Sequence, residues 1–487
     1  MSRVLVYGMA VTGAAVARAL TQRGYDVVAA DDRVDEGRRA LATDLGVELF
    51  DTPDTAAIAE LLATCDLVVP APGIPEHHRL IAAARRAGVE IISEIELAYR
   101  WEALRPGGPR PMLAITGTDG KTTTTLLTVE MLRAAGLRAI DAGNTDTPLV
   151  EALGLDVDVF VVECTSFRLT WTRQFRPEAG VWLNLAPDHL DWHTSLTTYR
   201  AAKARLWTAQ TSHDVAIGFA DDATVMAELA AAPGRHRTFS VTKPDADYHL
   251  DVSDDPAGVL TGPSGPLIAS REVARNRPHD LSNTLAAAAL VLETGLADVG
   301  AVATAARRFV GPAHRLEHLG TWSDIAWYND SKATTPHAAG AAIGSFERIV
   351  LIAGGYDKGV DLGAMAGAAD RVDTVIALGD TADAVLTAFA AVNDRQRAID
   401  LPDAVARAGR VATPGSTVLL SPGCASFDAY SGFEARGDHF RQLVLQRHAD
   451  RTLDGDPGTQ HNPQSTSQST PQPSPPPDEQ SQNGALR

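Results

Sequence analysis

Short apolar runs recur along the chain at residues 4–7, 27–30, 67–69, 112–115, 160–162, 181–185, 349–352 and 375–378. The early ones are each followed by a glycine, proline or acidic turn, and stretches with helical character lie between runs, among them 122–135, 199–206 and the Ala-rich 302–309. Continuous apolar runs of this length read as strands buried on both faces, and their alternation with helices predicts α/β architecture with a mainly parallel sheet.

At 487 residues the chain is too long for one core and suggests about three domains. Leu104-Arg105-Pro106-Gly107-Gly108-Pro109-Arg110-Pro111 is dense in breakers and reads as a linker, and Gly311-Pro312 marks a weaker break. The expected domains are therefore 1–108, 109–311 and 312–449. From Asp454 to Gly484 only Gln, Ser, Thr, Pro, Gly, Asn, His and acidic residues occur, so residues 450–487 are expected to form a disordered tail that cannot offset its ordering entropy by burial.

The formal charge of −18, from 61 acidic and 43 basic residues, opposes a nucleic-acid or anionic-membrane surface, so anionic ligands must be captured locally by loops. Cys65, Cys164 and Cys424 are odd in number and far apart, which is neither a disulfide framework nor a zinc spacing, and a cytoplasmic protein is expected. The start of the chain reads as strand, turn and helix rather than a secretory signal, and no window holds 18 uninterrupted apolar residues, so no membrane insertion is expected.

Candidate chemistry concentrates at the ends of the predicted strands. Thr116-Gly117-Thr118-Asp119-Gly120-Lys121-Thr122-Thr123 follows Met112-Leu113-Ala114-Ile115 and reads as strand, glycine turn and helix start around a lysine. Glycines let successive N–H groups converge, the helix adds its positive end, Lys121 adds a mobile charge, and Thr122 or Thr123 can reach a Mg²⁺. Gly117 stands only three residues before Gly120, so this is a shortened phosphate loop for a nucleoside triphosphate. Gly8-Met9-Ala10-Val11-Thr12-Gly13, with Asp31-Asp32 ending the next strand, approaches a dinucleotide fingerprint. Ala10 replaces its middle glycine, which turns the reading from a nicotinamide cofactor towards a nucleotide-bearing substrate, with Arg33 as a phosphate cation or, alternatively, towards a plain tight turn. Glu163, at the end of a buried-type strand, is a natural Mg²⁺ ligand, and His189 follows the run at 181–185. Lys203, judged by composition, is a surface charge on a helix.

Together, Gly117–Thr122, Glu163 in Val162-Glu163-Cys164-Thr165-Ser166-Phe167, Asp188-His189, Tyr199-Arg200-Ala201-Ala202-Lys203 and Pro312-Ala313-His314-Arg315 resemble the Mur ligase family of ATP-dependent amide-forming enzymes, over about residues 1–447. Asn329-Asp330-Ser331-Lys332-Ala333-Thr334 and Leu420-Ser421-Pro422-Gly423-Cys424-Ala425-Ser426-Phe427-Asp428 resemble its D-glutamate-adding branch. The resemblance implies a Rossmann-like N-terminal domain for the UDP-sugar, a central P-loop-type ATPase domain, and a Rossmann-like C-terminal domain for the amino acid. The implied reaction joins D-glutamate to UDP-N-acetylmuramoyl-L-alanine through an acyl phosphate, using ATP and two Mg²⁺, in a monomer.

Residue by residue, the resemblance implies that Val11, Thr12, Asp32, Arg33 and Gly73 contact uridine and its phosphates, and that Asn144 and His189 lie near the muramyl-alanine end. It places Gly117, Thr118, Asp119, Gly120, Lys121, Thr122, Thr123, Asn283, Arg315, Asp330 and Lys332 around ATP, and Thr334, Lys358, Ser426 and Phe433 around D-glutamate. Thr122, Glu163, His189 and Lys203 are implied metal positions, with Lys203 carbamylated by CO₂, and Lys121, His189, Lys203 and Arg315 are implied catalytic residues. Asp119 and Asp280 stand where the family usually has asparagine. Rival readings are a folylpolyglutamate-synthase-like ligase, which lacks a first domain of this kind, a nicotinamide oxidoreductase, which leaves the Lys121 loop unexplained, and a non-catalytic nucleotide-binding scaffold, against which intact Lys121, Glu163, His189 and Lys203 speak.

Overall fold

The computed structural model describes residues 2–453 apart from 191, 358 and 360. They form three sheets. In the first, β1 (Arg3–Tyr7), β2 (Asp26–Asp31), β3 (Glu48–Asp51), β4 (Leu67–Pro70) and β5 (Glu90–Ile91) lie in the order β3-β2-β1-β4-β5, all parallel. The second contains β6 (Met112–Thr116), β7 (Ala139–Gly143), β8 (Val159–Glu163), β9 (Ala179–Trp182), β10 (Val215–Phe219), β11 (Arg235–Ser240), β12 (Tyr248–Asp251), β13 (Val259–Gly262) and β14 (Gly265–Ala269), in the order β14-β13-β12-β11-β10-β9-β6-β8-β7. Its strands are parallel from β7 to β12, and β13 and β14 finish it as an antiparallel edge. In the third, β15 (Glu317–Trp322), β16 (Ile325–Asn329), β17 (Ile349–Gly354), β18 (Val372–Leu378), β19 (Asp394–Arg397) and β20 (Thr417–Leu420) follow the order β15-β16-β20-β17-β18-β19, parallel from β16 to β19.

By compactness the chain divides into two units, one of residues up to 317 with 335–345, the other of 318–334 with the chain from 346. Within the first, one apolar core lies between the central sheet and the helices Lys121–Ala134 and Pro278–Glu293, with Ile115, Val161 and Val181 packed near Leu127, Met131 and Leu285. A second core joins the two sheets of this unit, gathering Val6, Val16 and Ile95 with Phe160, Trp182 and Trp207. Buried Glu96 secures that junction, accepting from the backbone N–H groups of Arg173, Gln174 and Phe175 at 2.9–3.0 Å. In the second unit Trp327, Val418, Leu420, Phe440 and Val444 fill the core beside the helix Phe433–Leu453.

Two boundaries differ from expectation. The strand expected at 181–185 is β9, Ala179–Trp182, because its partner β6 ends at Thr116, which pairs with Trp182, leaving 183–185 beyond the ladder. Residues 450–453, expected in the tail, complete the last helix, since the first breakers, Gly455 and Pro457, come only afterwards. The remaining tail positions lie outside the described residues.

Gly13 shows how tightly the first helix, Val11–Gln22, crosses the end of β1: a Cβ there would stand 1.7 Å from the Gly8 carbonyl oxygen. Gly13→Ala is expected to cost about 1–3 kcal/mol by forcing that crossing apart. A urea midpoint equal to wild type would contradict the packing argument.

Candidate active site

The loop after β6 turns at Gly117, φ 157°, and Gly120, φ 84°, and the helix Lys121–Ala134 begins directly behind it with no side-chain cap. The left-handed turn at Gly120 favours glycine, and a Cβ there, 2.7 Å from Asn283 Oδ1, would displace the Asn283 carboxamide. The Asn184 carboxamide fixes the loop: its Oδ1 accepts from Thr118 N at 3.0 Å and Asp119 N at 2.9 Å, and its Nδ2 donates to Asp119 O at 3.2 Å. The Thr118 hydroxyl is tied inward, accepting from Ala186 N at 3.0 Å and bonding the Tyr199 hydroxyl at 3.1 Å. The N-terminal end of an uncapped helix, approached through such a loop, favours an oxyanion.

Two lysines converge on this loop. Lys121 Nζ donates to Gly117 O at 2.9 Å and to Thr118 O at 2.7 Å, and Lys203 Nζ donates to the same Gly117 oxygen at 2.7 Å. Lys203, 1 % exposed on the helix Leu196–Thr208, is not the surface charge its composition suggested. Burial, and then the Lys121 charge, hold its amine well below the ordinary lysine range. At any given pH a larger share of such an amine is neutral, and so nucleophilic, than of a solvated lysine.

Glu163 ends β8, adjacent to β6, so the sheet delivers its carboxylate to the same edge as the loop. Asn144 Nδ2 donates to Glu163 Oε1 at 3.0 Å, while the buried Oε2 has no partner. That orphaned oxygen fits a Mg²⁺ ligand. No group of three or more His, Cys, Asp or Glu side chains with metal-holding geometry occurs among the described residues. This donor set suits Mg²⁺, which usually takes one or two carboxylates and completes its shell with phosphate and water. His189, in a left-handed conformation at φ 54°, packs edge-on against Phe167 at 4.7 Å and lies 6.4 Å from Tyr199, which brings it to the side of the loop. Thr122 stands in the first helical turn, and the buried Thr123 hydroxyl has no partner.

Asn283 Oδ1 accepts from Thr124 Oγ1 at 3.3 Å, which holds the carboxamide against the loop. Beside it, Thr123, Leu127, Val273, Arg275, Asp280 and Phe309 line a small cleft. Asp280 accepts from Arg275 Nε at 2.9 Å through one oxygen, and its other oxygen is buried without a hydrogen bond. Arg315 follows His314, at φ 60°, and its carbonyl accepts from Arg275 Nη1 at 3.0 Å, so Arg275 ties this segment to Asp280.

At the carboxyl edge of the first sheet, Asp31 closes the glycine turn, accepting from Met9 N at 2.6 Å and Arg33 N at 2.8 Å. Asp32 accepts from the Tyr7 hydroxyl at 2.9 Å, lies 3.0 Å from His78 Nε2, and pairs with Arg79. Burial and Asp32 push the Tyr7 hydroxyl up to about 12, so it remains the donor. Val11 is 73 % exposed at the start of its helix, Gly73 has open space around it, and Trp192 Nε1 donates to Pro72 O at 2.8 Å, linking the His189 loop to the Gly73 turn.

In the second unit Asp330 follows β16, and its Oδ2 accepts from Ser421 Oγ at 2.8 Å. Lys332 Nζ stands 5.4 Å from the Phe433 ring centre, and Ser331 Oγ donates to Phe433 O at 2.8 Å. Arg436 gathers this edge: its guanidinium donates to Ser331 Oγ and Ser331 O, both at 2.9 Å, and to Ala425 O and Cys424 O, both at 3.1 Å. Burial lowers Arg436 to about 10, still charged at neutral pH. Ser426 is buried beside these carbonyls, Thr334 is half-buried at the end of the Asp330 loop, and Lys358 lies outside the described residues.

Sequence reasoning passed over Asn184, Arg168, His193 and Arg436. Asn184 had a signal, a lone amide interrupting the otherwise apolar run at 181–185. The buried His193, 2.9 Å from Ser166 Oγ and 3.3 Å from Glu76, and the buried Arg168 had none, because their partners are distant in sequence.

Three family models match the chain: "Mur ligase MurD-like, N-terminal domain" over residues 2–93, "Mur ligase middle domain" over 115–291 and "Mur ligase, glutamate ligase domain" over 314–424. The UDP-N-acetylmuramoylalanine–D-glutamate ligase of Frankia casuarinae is 40% identical, with 91% of this chain and 94% of that protein covered. The enzyme of the same name from Thermobifida fusca is 38% identical, with 91% and 98% covered. Among solved structures, a MurF ligase from Thermotoga maritima in complex with ADP shares the fold with a TM-score of 0.56 at 15% identity, covering 78% of this chain and 95% of that one.

Proposed function

The chain belongs to the Mur ligase family, in its UDP-N-acetylmuramoylalanine–D-glutamate ligase branch, and on that premise we propose how its residues perform an ATP-dependent addition of D-glutamate to UDP-N-acetylmuramoyl-L-alanine. A carboxylate resists attack by an amine, so ATP first converts it to an acyl phosphate. The amine of D-glutamate then attacks the acyl carbon, the C–N bond forms, and phosphate leaves. The observation that carries this reading is the convergence of Lys121, the uncapped helix and the half-satisfied Glu163 on one sheet edge.

Lys121 and the N–H groups of residues 120–123 hold the outer phosphates, and Asn283 with Arg315 flanks the nucleotide. Glu163 and Thr122 would hold one Mg²⁺, and His189 with carbamylated Lys203 would serve a second. When bound, Mg²⁺ neutralises charge as the phosphoryl group approaches the carboxylate. Carbamylation would join the neutral Lys203 amine to the carbon of CO₂ and release one proton; counted from the ammonium, two protons leave, so a cation beside Lys121 becomes an anion. Val11, Thr12, Asp32, Arg33 and Gly73 hold the uridine diphosphate end, with Asn144 nearer the reacting carboxylate. We assign Asp330 and Lys332 to ATP, and Thr334, Lys358, Ser426 and Phe433 to D-glutamate. The working unit in this reading is one chain in the cytoplasm, making a peptidoglycan precursor. Three buried free thiols accord with that setting, and no described helix is long and apolar enough to cross a membrane.

Phosphate release from ATP, measured with UDP-N-acetylmuramoyl-L-alanine and a panel of amino acids, tests the assignment. Turnover is expected with D-glutamate. Turnover with L-glutamate and none with the D-isomer would overturn it.

A further inference from the structure

Arg168 lies on the short helix Ser166–Leu169, just beyond the strand that ends in Glu163, and its side chain is 6 % exposed. Its Nη1 donates to Glu94 Oε2 at 3.0 Å, and Glu94 Oε1 accepts from Val150 N at 2.8 Å, so the anchoring carboxylate is itself buried and engaged. Nη2 reaches out of the central domain to Thr12 Oγ1 at 3.3 Å, and Nε is buried without a partner. In a planar guanidinium Nε and Nη2 share one edge, the edge that takes an oxyanion in a bidentate manner. Here that edge is occupied only by a long bond to a hydroxyl.

Thr12 sits in the first turn of the twelve-residue helix Val11–Gln22, whose preceding residue, Ala10, provides no side-chain cap. A hydroxyl has one proton to donate. Because the Thr12 oxygen accepts from Arg168, its proton is directed elsewhere, and among the described residues it meets no acceptor. The arrangement is a helix N-terminus with a buried cation behind it and a donor in front.

We propose that Arg168, anchored by Glu94, is a positioning residue for the diphosphate of the UDP-substrate: it holds the Thr12 hydroxyl as a donor to a phosphate oxygen and adds its charge to the helix end. The inference rests on the reading that a uridine diphosphate sugar binds at Val11 and Thr12. It assigns to the central domain a part in binding the ligand of the first, through a residue that ends within one short helix of the metal-binding strand.

The test is steady-state kinetics on the full-length enzyme, with Arg168→Gln, Thr12→Val and the double variant. Arg168→Gln is expected to raise KM for UDP-N-acetylmuramoyl-L-alanine about tenfold, as loss of a charge-assisted contact does, with kcat and KM for ATP within about twofold of wild type. Thr12→Val is expected to do the same, and the double variant to be no worse than either single, since the two act as one unit. Glu94→Gln/Arg168→Gln removes both buried charges, and Arg168→Lys retains the cation. The former is expected to melt close to wild type and keep the raised KM, which separates the role from folding. Unchanged KM in Arg168→Gln, additive effects, or equal losses in kcat and KM for ATP would overturn the inference. If Arg33→Ala also leaves KM for the UDP-substrate unchanged, the underlying placement of the uridine diphosphate fails as well; if Arg33→Ala raises it while Arg168→Gln does not, only the inference fails.

Discussion

Lys121→Ala is expected to lower kcat by roughly 10²–10³-fold or more, the loss that follows removal of one preorganised electrostatic stabiliser. Two anions meet in the first chemical step, the terminal phosphate of ATP and the substrate carboxylate, so the barrier is dominated by charge that must be neutralised in place. Lys121 is already positioned for this: Nζ rests on the carbonyls of Gly117 and Thr118 at 2.9 and 2.7 Å, within the loop that would receive the phosphates. Moving from those carbonyls to a phosphate oxygen needs only rotation of the lysine stem, whereas a bulk counter-ion would have to be recruited and desolvated. The side chain is half-buried and makes no apolar packing essential to the core, so the variant should melt near wild type. Phosphate release reports the loss, and equilibrium binding of MgATP reports whether affinity falls with it. Wild-type turnover with normal ATP binding in Lys121→Ala would contradict the loop assignment.

The parts of this site legible in the sequence are those whose partners are close along the chain. The strand, glycine turn and helix start at residues 112–123 announce themselves because glycines, lysine and threonines stand within eight residues behind an apolar run, and the backbone there depends on local sterics. Glu163 was legible for a related reason, since parallel strands deliver their terminal residues to one edge. The sheet order was not legible in residue pattern alone: β6 lies between β9 and β8, and nothing in any one of these three runs encodes that neighbour relation. The run at 181–185 shows the limit. Its composition continues as a strand through Leu185, but the ladder stops where β6 turns into the loop, and this frees Asn184 to clamp Thr118 and Asp119.

Lys203 and Arg168 show a different limit. Cations on helices are solvated by default, and only tertiary packing makes either one buried. Family resemblance corrected the reading for Lys203, because its motif was recognisable. Arg168 had no such help, and its meaning came from Glu94 and Thr12, which lie 74 and 156 residues away. The glycine turn at Gly8 sits between these cases. Its resemblance to a dinucleotide fingerprint is real in backbone terms, yet Asp31, which a dinucleotide site would use for ribose, closes the turn on Met9 and Arg33.

Lys203→Ala is expected to lose at least as much activity as Lys121→Ala and, unlike it, to regain part of that activity on addition of short carboxylic acids. Two ammonium groups donating to the single Gly117 oxygen repel each other, and burial adds to the penalty on Lys203, so its amine is held well below the ordinary lysine range. A larger share of it is therefore neutral at a given pH than for a solvated lysine, and the neutral amine is the form that attacks CO₂. The carbamate would be an anion beside Lys121, turning repulsion into attraction, and would add a negative charge where a Mg²⁺ would be held. The sign of the pH effect follows: carbamate, and activity with it, should fall as pH drops through the depressed pKa of Lys203, because protonation removes the nucleophile. Depleting CO₂ from the buffer should lower wild-type activity reversibly and leave Lys203→Ala unaffected. Acetate or formate can occupy the space that the missing side chain leaves and present a carboxylate where the carbamate would stand, whereas added ammonium or methylamine cannot. An alanine variant that retains full activity without added acid would remove Lys203 from the mechanism, and a carbonyl signal from ¹³C-bicarbonate assigned to Lys203 would place the carbamate directly.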